Sequence, residues 1–257
     1  MAQLAHEISD IRAQVSEQEW RLRVDLAAAY RLVEHYGWTD MVFTHLSARV
    51  PGPEHHFLIN PYGMMFDEIT ASNLVKIDLD GEVVLDNGYP VNPAGFTIHS
   101  AIHMAREDAQ AVMHLHTDDG VAVSSMSEGL MPINQTSMII HDEIAYHEYE
   151  GVALDLDERE RLVADLGDKM AMMLRNHGTL AVGQTVSDCF LMLYTFERAC
   201  TMQVRAMTST RLHQPSETSI ETTRRQGREI FRSGAAGALA WPALLRLVER
   251  IGPDYKT

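Results

Sequence analysis

Two histidines separated by a single leucine, His114-Leu115-His116, constrain this chain more than any other feature of its sequence. They end a short apolar run that begins at Ala111 and predicts a buried strand. Side chains at positions i and i+2 of a strand point to the same face of the sheet, so both imidazoles should face one side. A distant third histidine, His177, lies in the turn Asn176-His177-Gly178. Three neutral imidazoles that converge on one point suit zinc or iron and leave coordination positions open, so the sequence predicts a candidate metalloenzyme.

The histidine pair alone is weak evidence, because the chain contains 13 histidines and chance spacings must be expected. A pair on an apolar strand is equally compatible with two hydrogen-bonded core histidines. His99 and His103 illustrate the problem, since their i, i+4 spacing on a predicted helix is the one that zinc-protease helices use. That motif needs a glutamate directly after its first histidine, and the residue here is Ser100. We interpret His99 as helix packing near the site and His103 as a surface residue.

Composition and charge exclude several classes of function. The 257 residues are 46% hydrophobic, which is enough for one sizeable core. The formal net charge of −15 argues against a nucleic-acid partner, since phosphate binding needs clustered Lys and Arg. We find no signal peptide and no apolar stretch of transmembrane length, so we expect a cytoplasmic protein without a membrane partner. Cys189 and Cys200 are expected to be reduced, buried thiols on a helix.

The order of the predicted elements favours a mixed sheet over a doubly wound one. Ser16 and Glu19 form a capping-box pattern that begins a helix, which should stop at Gly37. Asp80-Gly81 predicts a hairpin between strands 75–79 and 82–85. A helix is expected over 97–105, before the strand that carries His114. Because strands and helices do not alternate regularly, a mixed sheet covered by helices fits best.

Several segments, taken in order along the chain, carry a specific resemblance to a known family. They are Thr44-His45-Leu46-Ser47, Leu58-Ile59-Asn60-Pro61-Tyr62-Gly63, the hairpin at Asp80-Gly81, Asn92-Pro93-Ala94-Gly95-Phe96, His114-Leu115-His116-Thr117 and Leu174-Arg175-Asn176-His177-Gly178. On these segments the chain resembles the class II aldolase/adducin family, over about residues 19–207. The resemblance implies a three-layer α/β domain whose central mixed, mainly antiparallel sheet has helices on both sides. It also implies a cyclic homotetramer with sites near the subunit interfaces.

The resemblance further implies that His114, His116 and His177 hold a divalent cation, most often zinc, with manganese or iron as alternatives. We expect a single domain over residues 1–257, with a core at about 19–207 and a C-terminal helical extension at about 218–251.

The chain departs from the family's sugar-phosphate aldolases in the segments that bind phosphate and move protons. Those enzymes carry a Pro-Ser-Ser-Glu segment whose glutamate binds the metal at rest and transfers protons, whereas Gly95 stands at that position here. Pro93 and Ala94 replace the two serines that help to hold phosphate, and His45 replaces an asparagine of the phosphate segment. The segment that supplies a tyrosine acid from a neighbouring subunit reads Pro132-Ile133-Asn134-Gln135-Thr136, without a tyrosine.

The form Asn-Pro-Ala-Gly-Phe resembles the adducin-like branch of the family. The head domains of the cytoskeletal adducins lack the zinc histidines, at least in part, and this chain keeps all three. Retention of the histidines favours chemistry over scaffolding.

Three functions are compatible with these residues. The first is a metal-dependent lyase that cleaves a C–C bond, by retro-aldol reaction or decarboxylation, in an unphosphorylated hydroxy- or oxo-acid. The second is a non-haem iron oxygenase that acts on a 2-oxo or 2-hydroxy acid, because oxygen chemistry does not need the lost glutamate. The third is a non-catalytic, adducin-like oligomeric binding module.

The candidate residues for catalysis and binding follow from the same segments. His45, Tyr62 and Asp118 are the candidates for proton transfer, although Asp118 is also placed to cap the next helix. Candidates for contact with a small-molecule substrate are Asn60, Gly63, Gly95 and Gln135.

Overall fold

A computed structural model describes residues 11–85, 87–151, 157–209 and 211–257, excluding the side chains of residues 93 and 94. Within these ranges, eight strands form one sheet in the order β4-β3-β2-β1-β5-β8-β7-β6. The strands are β1 His45–Arg49, β2 Phe57–Ile59, β3 Val75–Ile77, β4 Val83–Leu85, β5 Ala111–Leu115, β6 Ile144–His147, β7 Ala171–Leu174 and β8 Gly178–Gly183. Neighbouring strands are antiparallel except β6 and β7, which are parallel. The predicted fold class, a mixed and mainly antiparallel sheet, is confirmed.

Helices cover both faces of this sheet. The α-helices are α1 Ile11–Gln14, α2 Glu17–His35, α3 Pro93–Ala105, α4 Asp118–Ser124, α5 Gln135–Ile140, α6 Glu158–Leu166, α7 Val186–Ala206, α8 Glu217–Arg232 and α9 Ala235–Ile251. Short 3-10 helices occupy Phe66–Glu68, His141–Glu143 and Pro253–Lys256. Helices α2 and α7 pack on one face of the sheet, whereas α3 and α6 pack against each other on the opposite face. None of the described helices combines the length and the apolarity needed to cross a membrane.

Local sequence signals explain where several elements begin and end. The Ser16 side chain accepts a hydrogen bond from the backbone N–H of Glu19, so α2 begins as the capping pattern predicts. The hairpin at Asp80-Gly81 is present, but its strands, 75–77 and 83–85, are shorter than the predicted 75–79 and 82–85. The Asp78 carboxylate accepts the backbone N–H groups of Asp80 and Glu82, each at 2.9 Å, and the connection is therefore a wider side-chain-braced loop.

The pairing of β1 with β5 separates apolar from polar side chains, which point to opposite faces of the sheet. Alternate residues such as Leu46 and Met113 join the main core beneath α2 and α7. The intervening residues point to the α3 side, where His45 lies directly opposite His114. Because side chains alternate along a strand, this register places the histidines of β1 and β5 on one face.

A buried ion-pair network ties α2 to the sheet. Arg23 is fully buried, and its guanidinium donates to Glu19 at 3.0 Å and to the carbonyls of Ala71 and Leu74. The carboxylate of Glu19, which is 3% exposed, also accepts from the ammonium of Lys76 at 2.8 Å. Both cations in this network, Arg23 and Lys76, pair with the carboxylate of Glu19.

The variant Glu19→Ala is expected to lower the free energy of unfolding by about 3–5 kcal/mol, because it leaves the buried guanidinium of Arg23 without its counter-ion. Urea denaturation monitored by circular dichroism measures this loss. Glu17→Ala is the matched control on the same helix. Its carboxylate pairs with Arg12 and Arg21 in solvent, so its loss should change stability little. Equal effects of the two variants would contradict the assignment.

Candidate metal centre

The three histidines singled out in the sequence converge in the structure. Their rings lie 4.7 Å apart for His114 and His116, 4.7 Å for His114 and His177, and 4.8 Å for His116 and His177. One ring nitrogen of each lies within 4.8 Å of the others. Among the described residues, this histidine triad is the one cluster of His, Cys, Asp and Glu with the geometry of a metal site.

Close backbone packing brings His177 to the end of β5. Its N–H donates to the carbonyl of Leu174 at 3.1 Å, which closes the turn between β7 and β8. Asn176 adopts a left-handed conformation in this turn, with φ 55°. A Cβ at Gly178 would lie 2.3 Å from the carbonyl oxygen of Leu115, so only glycine permits this approach.

Hydrogen bonds on the outer side of two rings fix which nitrogens face inward. His114 Nδ1 lies 2.9 Å from the carbonyl oxygen of Thr179, which can only accept, so Nδ1 carries the proton. His116 Nδ1 lies 3.1 Å from a carboxylate oxygen of Asp40 and is oriented in the same way. The two Nε2 atoms then face each other at 2.9 Å with lone pairs. Two lone pairs this close repel unless a proton or a cation is shared, so the donor set fits a divalent metal.

The electrostatics of the triad also favour neutral ligands. Burial, together with the neighbouring His177, His116 and His45, holds the pKa of His114 well below its usual range. Burial, reinforced by His116 and His147, lowers the pKa of His177 to about 4. Both imidazoles are therefore uncharged at neutral pH, with one ring nitrogen free of a proton, which is the form that binds a metal.

A buried glutamate on α7 supports the triad from behind. The hydroxyls of Thr117 and Thr179 both donate to the carboxylate of Glu197, which is 1% exposed. Thr117 follows His116 and caps α4, while the carbonyl of Thr179 orients His114. Burial raises the pKa of Glu197 to about 7, although the two hydroxyls oppose the shift. Glu197, Asp40 and Thr179 were not predicted from the sequence. Asp40 lies 76 positions from His116, and Glu197 lies 80 positions from Thr117. Thr179 follows His177 closely but contacts His114 through its backbone carbonyl, which no side-chain pattern reveals.

Because its pKa is raised, Glu197 should make the folded protein less stable as pH rises. A salt-bridged carboxylate, whose pKa is lowered, has the opposite effect. Between its usual pKa of 4.5 and its folded value of about 7, the folded protein binds more protons than the unfolded chain. The free energy of unfolding therefore falls as pH rises through this window, by up to about 3 kcal/mol. In urea denaturation with a chelator present, the free energy of unfolding of the wild type, relative to that of Glu197→Gln, should therefore fall between pH 4.5 and pH 8. A difference that does not vary with pH would contradict the raised pKa.

His45 occupies the space that a side chain at position 95 would need. It is 4% exposed, and its ring lies 5.3 Å from that of His114. A Cβ built on Gly95 would approach His45 Cδ2 to 2.5 Å and Nε2 to 3.0 Å. Burial, with contributions from His116 and His177, lowers the pKa of His45 to about 3. The exchange of glutamate for glycine in the sequence is thus matched sterically by the imidazole of His45.

The contact between Gly95 and His45 predicts a coupled pair of substitutions. Gly95→Ala should lower the free energy of unfolding by about 1–3 kcal/mol, because the added methyl group overlaps the buried ring. In a His45→Ala background the same substitution should cost close to nothing, because the space is free. A double-mutant cycle of urea denaturations measures this coupling. Additive effects would show that the ring and the glycine do not meet.

A row of buried polar groups extends from His45 across α3. His45 Nδ1 lies 2.9 Å from His99 Nε2, and His99 Nδ1 lies 2.5 Å from Ser47 Oγ. Ser47 Oγ lies 2.8 Å from His103 Nε2, and His103 Nδ1 lies 3.0 Å from the carbonyl oxygen of Ala109. Burial holds the pKa of His99 well below its usual range and lowers that of His103 to about 3. The prediction that His103 is a surface residue is wrong, since it is 1% exposed and faces β1.

The candidate residues after β2 lie apart from this centre. Asn60 is buried, and its side-chain oxygen lies 2.9 Å from the hydroxyl of Tyr30. Tyr62 is 38% exposed, and Gly63 has a positive φ of 94° in the turn that follows. Among the described residues, no hydrogen bond or ring contact is seen between any of these three and the histidine triad.

Asp118 and Gln135 begin two short helices in different surroundings. Asp118 is exposed at the first position of α4 and lines a cavity together with His116 and Asp40. The side chain that caps α4 is Thr117, which accepts from the N–H of Gly120. Gln135 is exposed at the start of α5 and lines a separate cavity beside the C-terminal helices. Within one chain, the structure therefore brings His45, Gly95 and Asp118 near the triad, but not Gln135.

The sequence profile of the class II aldolase and adducin N-terminal domain matches residues 24–204. The chain belongs to this family. It is 56% identical to a putative aldolase class 2 protein of Caulobacter vibrioides over 258 residues, which cover 99% of each chain. It is also 41% identical to alpha-adducin of Rattus norvegicus over 210 residues, which are 79% of this chain but 28% of that protein. The family resemblance expected from the sequence is confirmed.

Two solved structures share the fold along nearly the whole chain. An aldolase II superfamily protein from Pseudomonas syringae has a TM-score of 0.93 at 52% identity, over 96% of this chain and 100% of that one. An L-fuculose 1-phosphate aldolase from Glaciozyma antarctica has a TM-score of 0.81 at 29% identity, over 94% and 93% of the two chains. The three-layer class II aldolase fold is therefore shared.

Proposed function

We propose that this protein is a metal-dependent lyase of the class II aldolase type. Its reaction is the cleavage of a C–C bond, by retro-aldol reaction or decarboxylation, in an unphosphorylated hydroxy- or oxo-acid. The observation that carries the proposal is the convergence of His114, His116 and His177, with Thr179 and Asp40 orienting two of the rings. A site whose outer hydrogen bonds are already set needs little reorganisation to bind a metal.

The triad would hold zinc, with manganese or iron as alternatives, through neutral imidazole nitrogens. When bound, a divalent cation there would stabilise the negative charge that develops as a C–C bond breaks.

An unphosphorylated substrate follows from the residues that replace the family's phosphate segments. Pro93 and Ala94 lack hydroxyl donors, and His45 is engaged with His99 and shielded from solvent. The cavity beside His116 is instead lined by Arg198 and Arg205 together with acidic residues. Guanidinium groups suit the carboxylate of an organic acid as well as they suit a phosphate.

Among the candidates for proton transfer, His45 has the strongest geometric support. It lies against His114, opposite it in the sheet, and fills the volume next to Gly95. We propose that His45 accepts a proton from the substrate, with Asp118 and Tyr62 as weaker candidates for returning one. Tyr62 could act only if it moved towards the triad, or if the site included a second subunit.

Substrate contact by Asn60, Gly63, Gly95 and Gln135 remains part of the proposal, as does a homotetramer in the cytoplasm. Gln135 has a role only if a neighbouring subunit carries it to the triad. Among these residues, Gly95 is the one that the fold already places beside His45.

Substitution of any triad histidine by alanine should remove the bound metal and lower C–C cleavage by at least about 100-fold, because charge stabilisation of this kind is worth that much or more. Elemental analysis of protein purified anaerobically without chelators gives the metal content. A panel of hydroxy- and oxo-acids, assayed for release of aldehyde or carbon dioxide, gives the activity. His35→Ala is the matched control, since His35 is an exposed residue at the end of α2.

The same measurements separate the alternatives. Iron in the purified protein together with oxygen uptake in the presence of a 2-oxo acid would replace the lyase by an oxygenase. Full cellular function of the His114→Ala and His116→Ala variants would favour a non-catalytic module, for which the similarity to alpha-adducin is the supporting observation. Absence of turnover across the panel with zinc, manganese or cobalt would refute the lyase.

A further inference from the structure

The buried row between His45 and Ala109 permits one consistent placement of protons. The row ends at the backbone carbonyl of Ala109, which has no hydrogen to donate. His103 Nδ1 must therefore carry a proton, and in a neutral imidazole His103 Nε2 is then an acceptor. The direction of every other hydrogen bond in the row follows from this fixed end.

The next links are determined in turn. Because His103 Nε2 accepts, the hydroxyl of Ser47 donates to it, and Ser47 Oγ accepts from His99 Nδ1. His99 Nε2 is consequently unprotonated and accepts from His45 Nδ1. His45 is left with its lone pair on Nε2, the nitrogen that lies beside Gly95.

This placement of protons requires that the imidazole rings of His45, His99 and His103 are neutral, and their surroundings favour the neutral form. His45, His99 and His103 are between 0% and 4% exposed, and none of their hydrogen-bond partners is a carboxylate. In the protein without substrate, a buried imidazolium would have no counter-charge here and is strongly disfavoured. The negative charge left on a substrate that gives up its proton would supply that counter-charge. Each ring therefore has one donor and one acceptor nitrogen.

We propose that His99, Ser47 and His103 are positioning residues that hold His45 in its Nδ1–H tautomer, so that Nε2 presents a lone pair to the site. A substrate group that meets His45 must then be a hydrogen-bond donor. Resting on the proposed lyase function, this selects a hydroxy-acid, whose hydroxyl can donate, over an oxo-acid with only carbonyl acceptors at that place.

The row fixes a tautomer and does not conduct protons to solvent. A proton passed from His45 to His99 and onwards would stop at the Ala109 carbonyl, which cannot release one. Any proton that this row exchanges with the substrate therefore passes through His45 Nε2.

The test is long-range ¹H–¹⁵N correlation NMR on metal-free wild-type protein labelled at histidine, with the His45 signals identified by their loss in His45→Gln. We expect a protonated Nδ1 and an unprotonated Nε2 for His45. A proton on Nε2 in the wild type overturns the proposal, and the tautomer itself is measured on wild-type protein.

The variant Ser47→Ala breaks the row, so both His45 tautomers should become populated, and kcat on a hydroxy-acid should fall about 10- to 100-fold with metal content unchanged. Ser100→Ala is the control, since its buried hydroxyl lies on α3 beside His99, donates to the carbonyl of Phe96 and is outside the row. An unchanged tautomer in Ser47→Ala overturns the positioning role. A wild-type protein with the expected tautomer but no lyase activity refutes the function and leaves the tautomer assignment intact.

Discussion

The antiparallel pairing of β1 with β5 is the constraint on which the site depends, because it sets His45 opposite His114 on one face of the sheet. A shift of one residue in this register would turn the imidazole of the shifted strand into the apolar core beneath α2 and α7, so that His45 and His114 would no longer share a face. The register is held by that core, since Leu46 and Met113 fill the opposite face. His45 and His114, the proposed proton acceptor and one of the proposed metal ligands, are therefore positioned by hydrophobic packing that contains no candidate catalytic group.

The third histidine of the triad, His177, is positioned by a close backbone approach. His177 reaches the end of β5 because Gly178 lets the turn between β7 and β8 approach the carbonyl of Leu115. At Gly95, the missing side chain leaves room for the ring of His45. At both positions a Cβ would prevent the close packing that places a histidine at the site. Each glycine therefore contributes to the site because it has no side chain.

Patterns that are local in sequence predicted much of the fold and the triad. Alternation along β5 was sufficient to place His114 and His116 on one face, and the capping pattern at Ser16 located the start of α2. The surroundings of the site were not predictable in this way. The burial of His103 depends on how α3 packs on β1, and the contact of Glu197 with Thr117 joins residues 80 positions apart. Such contacts are set by tertiary packing, which no local period encodes.

The concentration of buried neutral imidazoles and a raised-pKa glutamate around one point costs stability in the metal-free chain. His114 and His116 direct lone pairs at each other, and Glu197 sits where burial opposes its charge. A cation bound to the triad would remove the first repulsion and, by binding only the folded state, would raise stability by mass action. The same arrangement of side chains therefore lowers the stability of the metal-free protein and would favour the binding of a cation. The apolar packing of α2 and α7 supports this arrangement, because His114 lies on β5, a strand whose residues are all buried.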